Sequence, residues 1–128
     1  MACDVEFTDE FEEWWNNLHE AEQIKIDAAV RMLEEYGPDL PFPMSSAVNS
    51  SRHSHMRELR VQVQGKPFRV LYAFNPKRAA ILLLGGDKTG DERWYQVHIP
   101  KADKLYDQHI EELARQEKKG KPQHGKEI

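Results

Sequence analysis

The most regular alternation of apolar and polar residues in the chain lies between residues 56 and 89. Residues 56–64 change polarity at almost every position, which is the period of a strand with two different faces. A Gly65-Lys66-Pro67 turn leads into a second run over residues 68–74, and a third, continuously apolar run over residues 79–84 ends at Gly85-Gly86. This pattern predicts three consecutive strands paired as an antiparallel meander.

Apolar residues recur at helical spacing on either side of this region. The first helix is expected to follow Thr8, a good N-cap residue, and the second to end at the strong stop signal Gly37-Pro38. Trp14-Trp15 keep the spacing of the first helix, so we expect them in the core rather than in a ligand-binding box. Pro100 is expected to open a last helix whose apolar stripe continues to about residue 115.

With a short strand expected over residues 4–7, this order of elements predicts an α+β fold. A small antiparallel sheet, made of the N-terminal strand and the three-stranded meander, would carry two N-terminal helices and one C-terminal helix on one face. The other face would be free to bind a ligand. Between the second helix and the meander, residues 37–55 are rich in Pro, Gly and Ser, and so long a loop in a small domain suggests a function.

The length of 128 residues corresponds to one domain, which we expect over residues 1–116, followed by a disordered basic tail over residues 117–128. Cys3 is the only cysteine, so neither a disulfide framework nor a cysteine-rich zinc site is expected. The first residues lack the pattern of a signal peptide, and no stretch has the composition of a membrane span. The default prediction is a cytoplasmic protein without a membrane partner.

Charge is strongly segregated along the chain. Residues 1–39 contain twelve acidic and two basic residues, residues 52–78 contain one acidic and seven basic residues, and the remaining acids and bases balance. The formal net charge of −4 therefore hides a basic sheet attached to an acidic helical half. A basic sheet is the distribution that a phosphate-binding surface needs.

Several segments together form a recognisable family pattern. They are His53, Met56-Arg57-Glu58-Leu59-Arg60-Val61-Gln62, Phe68-Arg69-Val70-Leu71-Tyr72-Ala73-Phe74, Ile81-Leu82-Leu83-Leu84-Gly85-Gly86-Asp87-Lys88-Thr89-Gly90, Arg93-Trp94-Tyr95 and Ile99-Pro100-Lys101-Ala102-Asp103-Lys104-Leu105-Tyr106. From about residue 3 to residue 116 the chain resembles the RelE/HigB-like toxins of bacterial and phage type II toxin–antitoxin modules, specifically their Gp49-like branch.

The resemblance implies a RelE-like fold and a toxin that cuts mRNA, typically in the ribosomal A site. It also implies a cognate antitoxin that carries a helix-turn-helix domain. The chemistry that it implies is independent of metal ions and cofactors: a ribose 2′-hydroxyl attacks the adjacent phosphate. The partners expected from the resemblance are therefore mRNA, the ribosome and the antitoxin.

Three basic residues are the first candidates for stabilising charge on the phosphate. Fixed cations act most strongly where water is excluded, and guanidinium groups can bind phosphate through two hydrogen bonds. Arg60 ends the Glu-Leu-Arg motif, Arg69 lies early in the next strand, and Lys88 lies in the turn after the third strand. The structural alternatives are a cross-strand ion pair for Arg60, for which Glu58 is the only acid between residues 40 and 86, and solvated surface positions for the other two.

Proton transfer needs a group that titrates or donates near neutral pH, and His53, His55, Tyr95 and His98 are the candidates near the sheet. His53 matches a recurrent histidine of the resembling family, and Tyr95 lies in a segment that returns to the sheet, so these two are taken as catalytic candidates. The expected RNA-binding residues are Arg57, Lys66, Arg93 and Trp94. For Trp94 two roles stay open at this point, stacking on a base and packing of the last helix.

Two segments resemble known binding motifs but lack residues that those motifs require. The segment Gly85-Gly86-Asp87-Lys88-Thr89 lacks the glycines at the spacing that a P-loop requires. His53 and His55 have no third ligand at a recognisable spacing, so no metal site is expected.

Two other functions remain open. A ParE-like relative would inhibit DNA gyrase, although members of that branch lack the catalytic cations. A non-catalytic binding module would need only the surface that binds the antitoxin, and alanine substitutions at Arg60, Arg69 and Lys88 would leave its effect on cells unchanged.

Overall fold

The computed structural model describes the backbone of residues 2–127 and the side chains of residues 2–118. A 3-10 turn over Gly37–Asp39 follows the second helix. The strands and helices, in chain order, are β1 Val5–Phe7, α1 Asp9–Asn16, α2 Glu20–Tyr36, β2 Ser45–Ala47, β3 Arg57–Val63, β4 Lys66–Phe74, β5 Ala80–Asp87 and α3 Trp94–Glu127.

The predicted meander is confirmed, since β3, β4 and β5 pair as antiparallel neighbours in a sheet of order β1-β5-β4-β3-β2. The sheet is mixed rather than antiparallel, because β1 pairs parallel to β5. β2 was missed in the Ser-rich loop. Its three residues become a strand only by pairing with residues 57–59 of β3, a tertiary contact that local composition does not reveal.

Helices cover both faces of the sheet, so the prediction of helices on one face and a free opposite face is wrong. α1 and α2 pack on the face that presents Leu59, Val70 and Tyr72. α3 packs on the opposite face, against Leu71 and Ile81. Strands β4 and β5 therefore lie between two apolar layers, which explains why the third strand is apolar at every position rather than alternating.

The helix ends follow from capping and from burial. The Thr8 hydroxyl accepts a hydrogen bond from the Phe11 amide at 3.0 Å, which confirms the predicted N-cap of α1. The prediction that Pro100 opens the last helix is wrong, because α3 begins at Trp94. The preceding turn stays helical because Trp94 and Ile99 bury their side chains against the sheet, and this burial outweighs the missing Pro100 amide.

The backbone of α3 is described as helical to Glu127, whereas the side chains beyond residue 118 lie outside the described part of the chain. The disordered tail expected over residues 117–128, like the single-domain boundary at residue 116, therefore stays a prediction. No helix within the described residues is both long and apolar enough to cross a membrane.

Candidate functional site

Two arginines face each other at the centre of the candidate site. Arg60 on β3 and Arg69 on β4 are directly opposed across the strand pair, and Gly86 on β5 opposes Arg69 in turn. All three positions lie on the face that α3 covers, because they share the side-chain direction of Leu71. Tyr95, in the first turn of α3, reaches down to this row of residues.

Glu58 joins these residues, and sequence reasoning did not assign it a functional role. Its residue exposure is 4 %, and its Oε1 atom accepts a hydrogen bond from the Tyr95 hydroxyl at 2.6 Å. The other carboxylate oxygen, Oε2, accepts from the Ser46 hydroxyl at 2.7 Å and from Arg60 at 3.3 Å. The structural alternative for Arg60 was an ion pair with an acid, and Glu58 is that partner. A lone acid in a strongly basic stretch was the signal that could have identified Glu58.

Arg69 is buried beneath this network rather than displayed to solvent. Its side chain is 6 % exposed, and its Nε lies 3.3 Å from the Tyr95 hydroxyl oxygen, to which it donates, and 3.5 Å from Glu58. A second guanidinium nitrogen donates to the Phe68 carbonyl at 2.9 Å. Arg69 is thus placed to hold Tyr95 and Glu58 in position, with little surface left for a direct contact to RNA.

Arg60 and Lys88 are the accessible cations of the site. The Arg60 side chain is 32 % exposed, and its guanidinium lies 5.3 Å from the centre of the exposed Phe42 ring. The Lys88 ammonium lies 5.6 Å from the centre of the Tyr95 ring. Its position is fixed by the backbone, since the Lys88 amide donates to the Pro67 carbonyl at 3.0 Å. Both cations can therefore meet an anion that approaches Tyr95.

The environment of Tyr95 keeps its hydroxyl protonated at neutral pH. Burial is the largest contribution that raises the pKa of Tyr95, and its hydrogen bond to Glu58 raises the pKa further, while Arg69 acts in the opposite direction. A protonated phenol donates to Glu58 and still has lone pairs that can accept a proton. The Tyr95–Glu58 pair can therefore relay a proton although the phenol alone is a poor base.

Two open cavities border the cluster. One, of about 240 Å³, is lined by Glu58, Tyr95, Ile99 and residues 47–50, which are the last residue of β2 and the start of the loop after it. The other, of about 230 Å³, is lined by Arg60, Arg69, Gln62 and residues 43–44. The long loop of residues 37–55 thus supplies walls to both cavities, in agreement with the functional role suggested for it.

His53 lies away from this cluster. Its Nε2 atom is 2.9 Å from an Asp107 carboxylate oxygen, and its ring packs edge-on against Tyr106 at 4.8 Å. The Tyr106 hydroxyl in turn donates to the Phe74 carbonyl. Phe74 is five positions from Arg69 along β4, about 17 Å at ~3.3 Å per residue. The geometry therefore does not bring His53 together with the other catalytic candidates.

The four expected RNA-binding residues differ in their exposure to solvent. Lys66 at the β3–β4 turn and Arg93 before α3 are exposed. Arg57 lies on the face covered by α1 and α2, where its Nε donates to the Ser45 hydroxyl at 3.0 Å. Trp94 is only 2 % exposed, so the prediction that it stacks on a base does not fit the structure.

The two glycines near the end of β5 are explained by tryptophans on opposite faces of the sheet. A Cβ atom on Gly86 would lie 2.6 Å from the Trp94 indole nitrogen, and a Cβ on Gly85 would overlap the Trp14 ring. Trp14 also packs against Phe68, with ring centres 6.1 Å apart, which confirms its predicted place in the core. The glycines make room for indole rings rather than for a phosphate. Among the described residues, no group of three or more His, Cys, Asp or Glu side chains is arranged to hold a metal ion.

Comparison with known sequences establishes the family. A profile of the family described as "Phage derived protein Gp49-like (DUF891)" matches residues 13–107. "Putative toxin HigB3" of Mycobacterium tuberculosis is 44 % identical over 93 residues, which cover 72 % of this chain and 80 % of that protein. "Putative toxin HigB2" of the same organism is 40 % identical over 99 residues, covering 76 % of this chain and 49 % of that protein, so the match spans about half of HigB2.

Solved structures agree on the fold. The RelE–RelB complex of the archaeon Pyrococcus horikoshii contains a chain that superposes with a TM-score of 0.51 at 18 % identity, covering 69 % of this chain and 97 % of that one. A mutant of the Escherichia coli toxin RelE in its free state gives a TM-score of 0.53 at 10 % identity, covering 73 % and 92 % of the two chains. The fold is that of the RelE/HigB-like toxins. The chain belongs to the Gp49-like family within this class.

Proposed function

We propose that this toxin is a ribosome-dependent endoribonuclease that cleaves mRNA and so inhibits translation in the cytoplasm. The observation that carries the proposal is the convergence of Arg60, Arg69 and Tyr95 on one carboxylate, Glu58, between two open cavities, with the Lys88 ammonium over the Tyr95 ring. The site therefore offers cations for a phosphate and a protonated hydroxyl coupled to a buried acid.

Arg60 and Lys88 stabilise the charge that develops on the scissile phosphate. Both are accessible from the space around Tyr95, whereas Arg69 is nearly covered. Removing one preorganised donor to a developing oxyanion costs roughly 10²–10³ in kcat in other enzymes. Because Arg60 already holds one hydrogen bond to Glu58, its guanidinium is oriented before RNA arrives, which reduces the entropy lost on binding.

Tyr95 and Glu58 carry the first proton transfer. The ribose 2′-hydroxyl gives its proton to the Tyr95 oxygen as the phenol proton passes to Glu58 Oε1, along a hydrogen bond that is 2.6 Å long in the free protein. The 2′-oxygen attacks the phosphorus, and the bond to the 5′-oxygen breaks. The Lys88 ammonium, which lies over the Tyr95 ring, donates a proton to the leaving oxygen. The products are a 2′,3′-cyclic phosphate and a 5′-hydroxyl end.

The arrangement of charge supports an RNA substrate held on one side of the molecule. The acidic helices α1 and α2 lie on the opposite face of the sheet from Arg60 and Arg69. Long-range repulsion of a phosphate backbone is therefore weakest where the cations are displayed. Lys66 and Arg93, exposed on the turns that flank the site, extend this basic side.

An antitoxin partner completes the proposal. Solved structures of the same fold include RelE–RelB complexes, in which the toxin is bound to its antitoxin. We therefore expect a small helix-turn-helix protein encoded beside this chain to bind it and to neutralise it. The failure of the two proteins to copurify after coexpression would contradict this part of the proposal.

Primer extension on a defined mRNA in a purified translation system tests the activity. Wild type, Arg60→Ala and His53→Ala should be compared with and without ribosomes. We expect cuts only with ribosomes, lost in Arg60→Ala and retained in His53→Ala. Folded wild-type protein that makes no cuts under either condition would overturn the proposal and favour inhibition of gyrase or a binding role.

A further inference from the structure

A second feature of the molecule, distant from the catalytic cluster, is a groove of about 400 Å³ between α1, α2 and β1. We call it the β1 groove. Its apolar walls are formed by Val5, Phe7, Phe11, Trp15 and Val30. β1 is the outermost strand of the sheet on this side, so the groove lies at an edge of the fold.

Aromatic rings line the β1 groove and one of them is strongly exposed. Phe7 is 56 % exposed, although its ring centre is only 6.2 Å from that of Phe11. Phe11 and Trp15 stack with ring centres 6.5 Å apart. An exposed aromatic side chain beside an apolar groove is a common feature of protein–protein interfaces, where such residues act as anchors.

The rim of the β1 groove is acidic. Glu12, Asp27 and Glu34 line it, and the one basic residue there, Arg31, is already bound to Asp27 with an Nε–Oδ2 distance of 2.9 Å. Together α1 and α2 contain nine acidic and two basic residues. An apolar groove inside so acidic a surface repels nucleic acid and attracts a cationic partner.

The β1 groove is separated from the catalytic cluster in two directions. It lies on the face covered by α1 and α2, whereas Arg60 and Arg69 lie on the face covered by α3. It also borders β1, at the opposite edge of the sheet from β3 and β2. A ligand seated in the groove therefore leaves Arg60 accessible.

We propose that the β1 groove binds a basic amphipathic helix of the antitoxin, an inference that rests on the proposed toxin function. The apolar face of the helix would cover Phe7 and the Phe11–Trp15 stack, and its lysines or arginines would lie beside Glu12 and Glu34. Because the groove is remote from Arg60, substitutions in it separate antitoxin binding from RNA cleavage.

Isothermal titration of the full chain with the purified helix-turn-helix protein encoded beside it tests this proposal. The informative variants are Phe7→Ala and the double variant Glu12→Gln/Glu34→Gln. Two matched controls lie outside the groove. Ile24→Ala removes an exposed apolar side chain of α2, and Glu13→Gln/Glu35→Gln removes one acid from α1 and one from α2. Thermal melts establish that each variant is folded.

We expect Phe7→Ala to weaken binding about tenfold or more, as truncation of an interface anchor does. The Glu12→Gln/Glu34→Gln double variant should weaken binding about fivefold at low salt, and the difference should vanish near 0.5 M salt because these charges are exposed. Both controls should bind within about twofold of wild type, as is usual for residues outside an interface core. Cleavage of mRNA should be unchanged in all of them.

Two results would overturn the inference: binding by both groove variants that equals that of wild type, or no binding by wild type at all. Groove-dependent binding combined with no RNA cleavage by any protein would support the β1 groove while contradicting the proposed ribonuclease activity. The two proposals therefore fail in distinguishable ways.

Discussion

Removing one oxygen atom from Tyr95 is the sharpest perturbation of the proposed proton relay. Tyr95→Phe keeps the ring that packs against Trp94, with centres 5.3 Å apart, and deletes only the hydroxyl that joins Glu58 to Arg69. General acid–base catalysis contributes about 10²–10⁴-fold to a rate. The variant should therefore lose about 10²–10⁴-fold in cleavage rate, which corresponds to about 2.7–5.5 kcal/mol in the activation barrier.

The stability cost of Tyr95→Phe should be smaller than its catalytic cost. A hydrogen bond to a charged partner contributes about 1.5–3 kcal/mol, and because Tyr95 is only partly buried we expect a loss of about 1–2 kcal/mol in the free energy of unfolding. Burial and the bond to Glu58 raise the pKa of Tyr95, so this stabilisation is present below the ordinary tyrosine pKa of about 10 and declines as pH rises above it. Urea unfolding at several pH values measures both quantities.

Tyr106→Phe is the matched control. Tyr106 is a second tyrosine of α3, buried in the core, whose pKa is raised by burial, and its hydroxyl donates to the Phe74 carbonyl at 2.8 Å. We expect a similar loss of stability but a single-turnover cleavage rate on ribosome-bound mRNA within about threefold of wild type. If Tyr95→Phe cleaves as fast as Tyr106→Phe while remaining folded, the relay through Glu58 is refuted.

Four further substitutions test other parts of the account. Gly85→Ala places a methyl group against the Trp14 ring and should lower the free energy of unfolding by about 1–3 kcal/mol, whereas Gly65→Asn, at a left-handed turn with open space around it, should have little effect in the same urea titration. Lys88→Ala should reduce the cleavage rate by about 10²-fold with stability nearly unchanged, and equal rates would remove Lys88 from the mechanism. His53→Ala should leave the rate unchanged but speed proteolysis of the loop that His53 ties to α3, and a large loss of rate would place His53 in the chemistry.

Much of the fold could be predicted because its strongest signals are local. Alternation and turn residues located β3, β4 and β5, and the Thr8 cap and Gly37 stop located the first two helices. The misses share one cause, which is that tertiary contact decided the local structure. β2 exists through pairing with β3, and α3 begins early because Trp94 packs over Gly86.

The candidate site was predictable by residue type but not by role. Arg60, Arg69, Lys88 and Tyr95 do converge, since strand register and the return of α3 bring them to one place. The sequence alone does not indicate which of the three cations is buried, and in the structure it is Arg69. The sequence also does not show the role of Glu58, because that role depends on tertiary contacts. Its four partners are Ser46, Arg60, Arg69 and Tyr95, which lie on three other elements and on its own strand.

The most direct test of the central claim is the chemistry of the cut. Wild-type toxin should be mixed with a defined mRNA programmed into purified ribosomes, and the new 3′ end should be characterised by mass spectrometry beside the same reaction with Arg60→Ala. A 2′,3′-cyclic phosphate that forms only with ribosomes and only with the wild-type cations is the predicted result. A free 3′-hydroxyl end, or equal cleavage by the variant, would contradict the account.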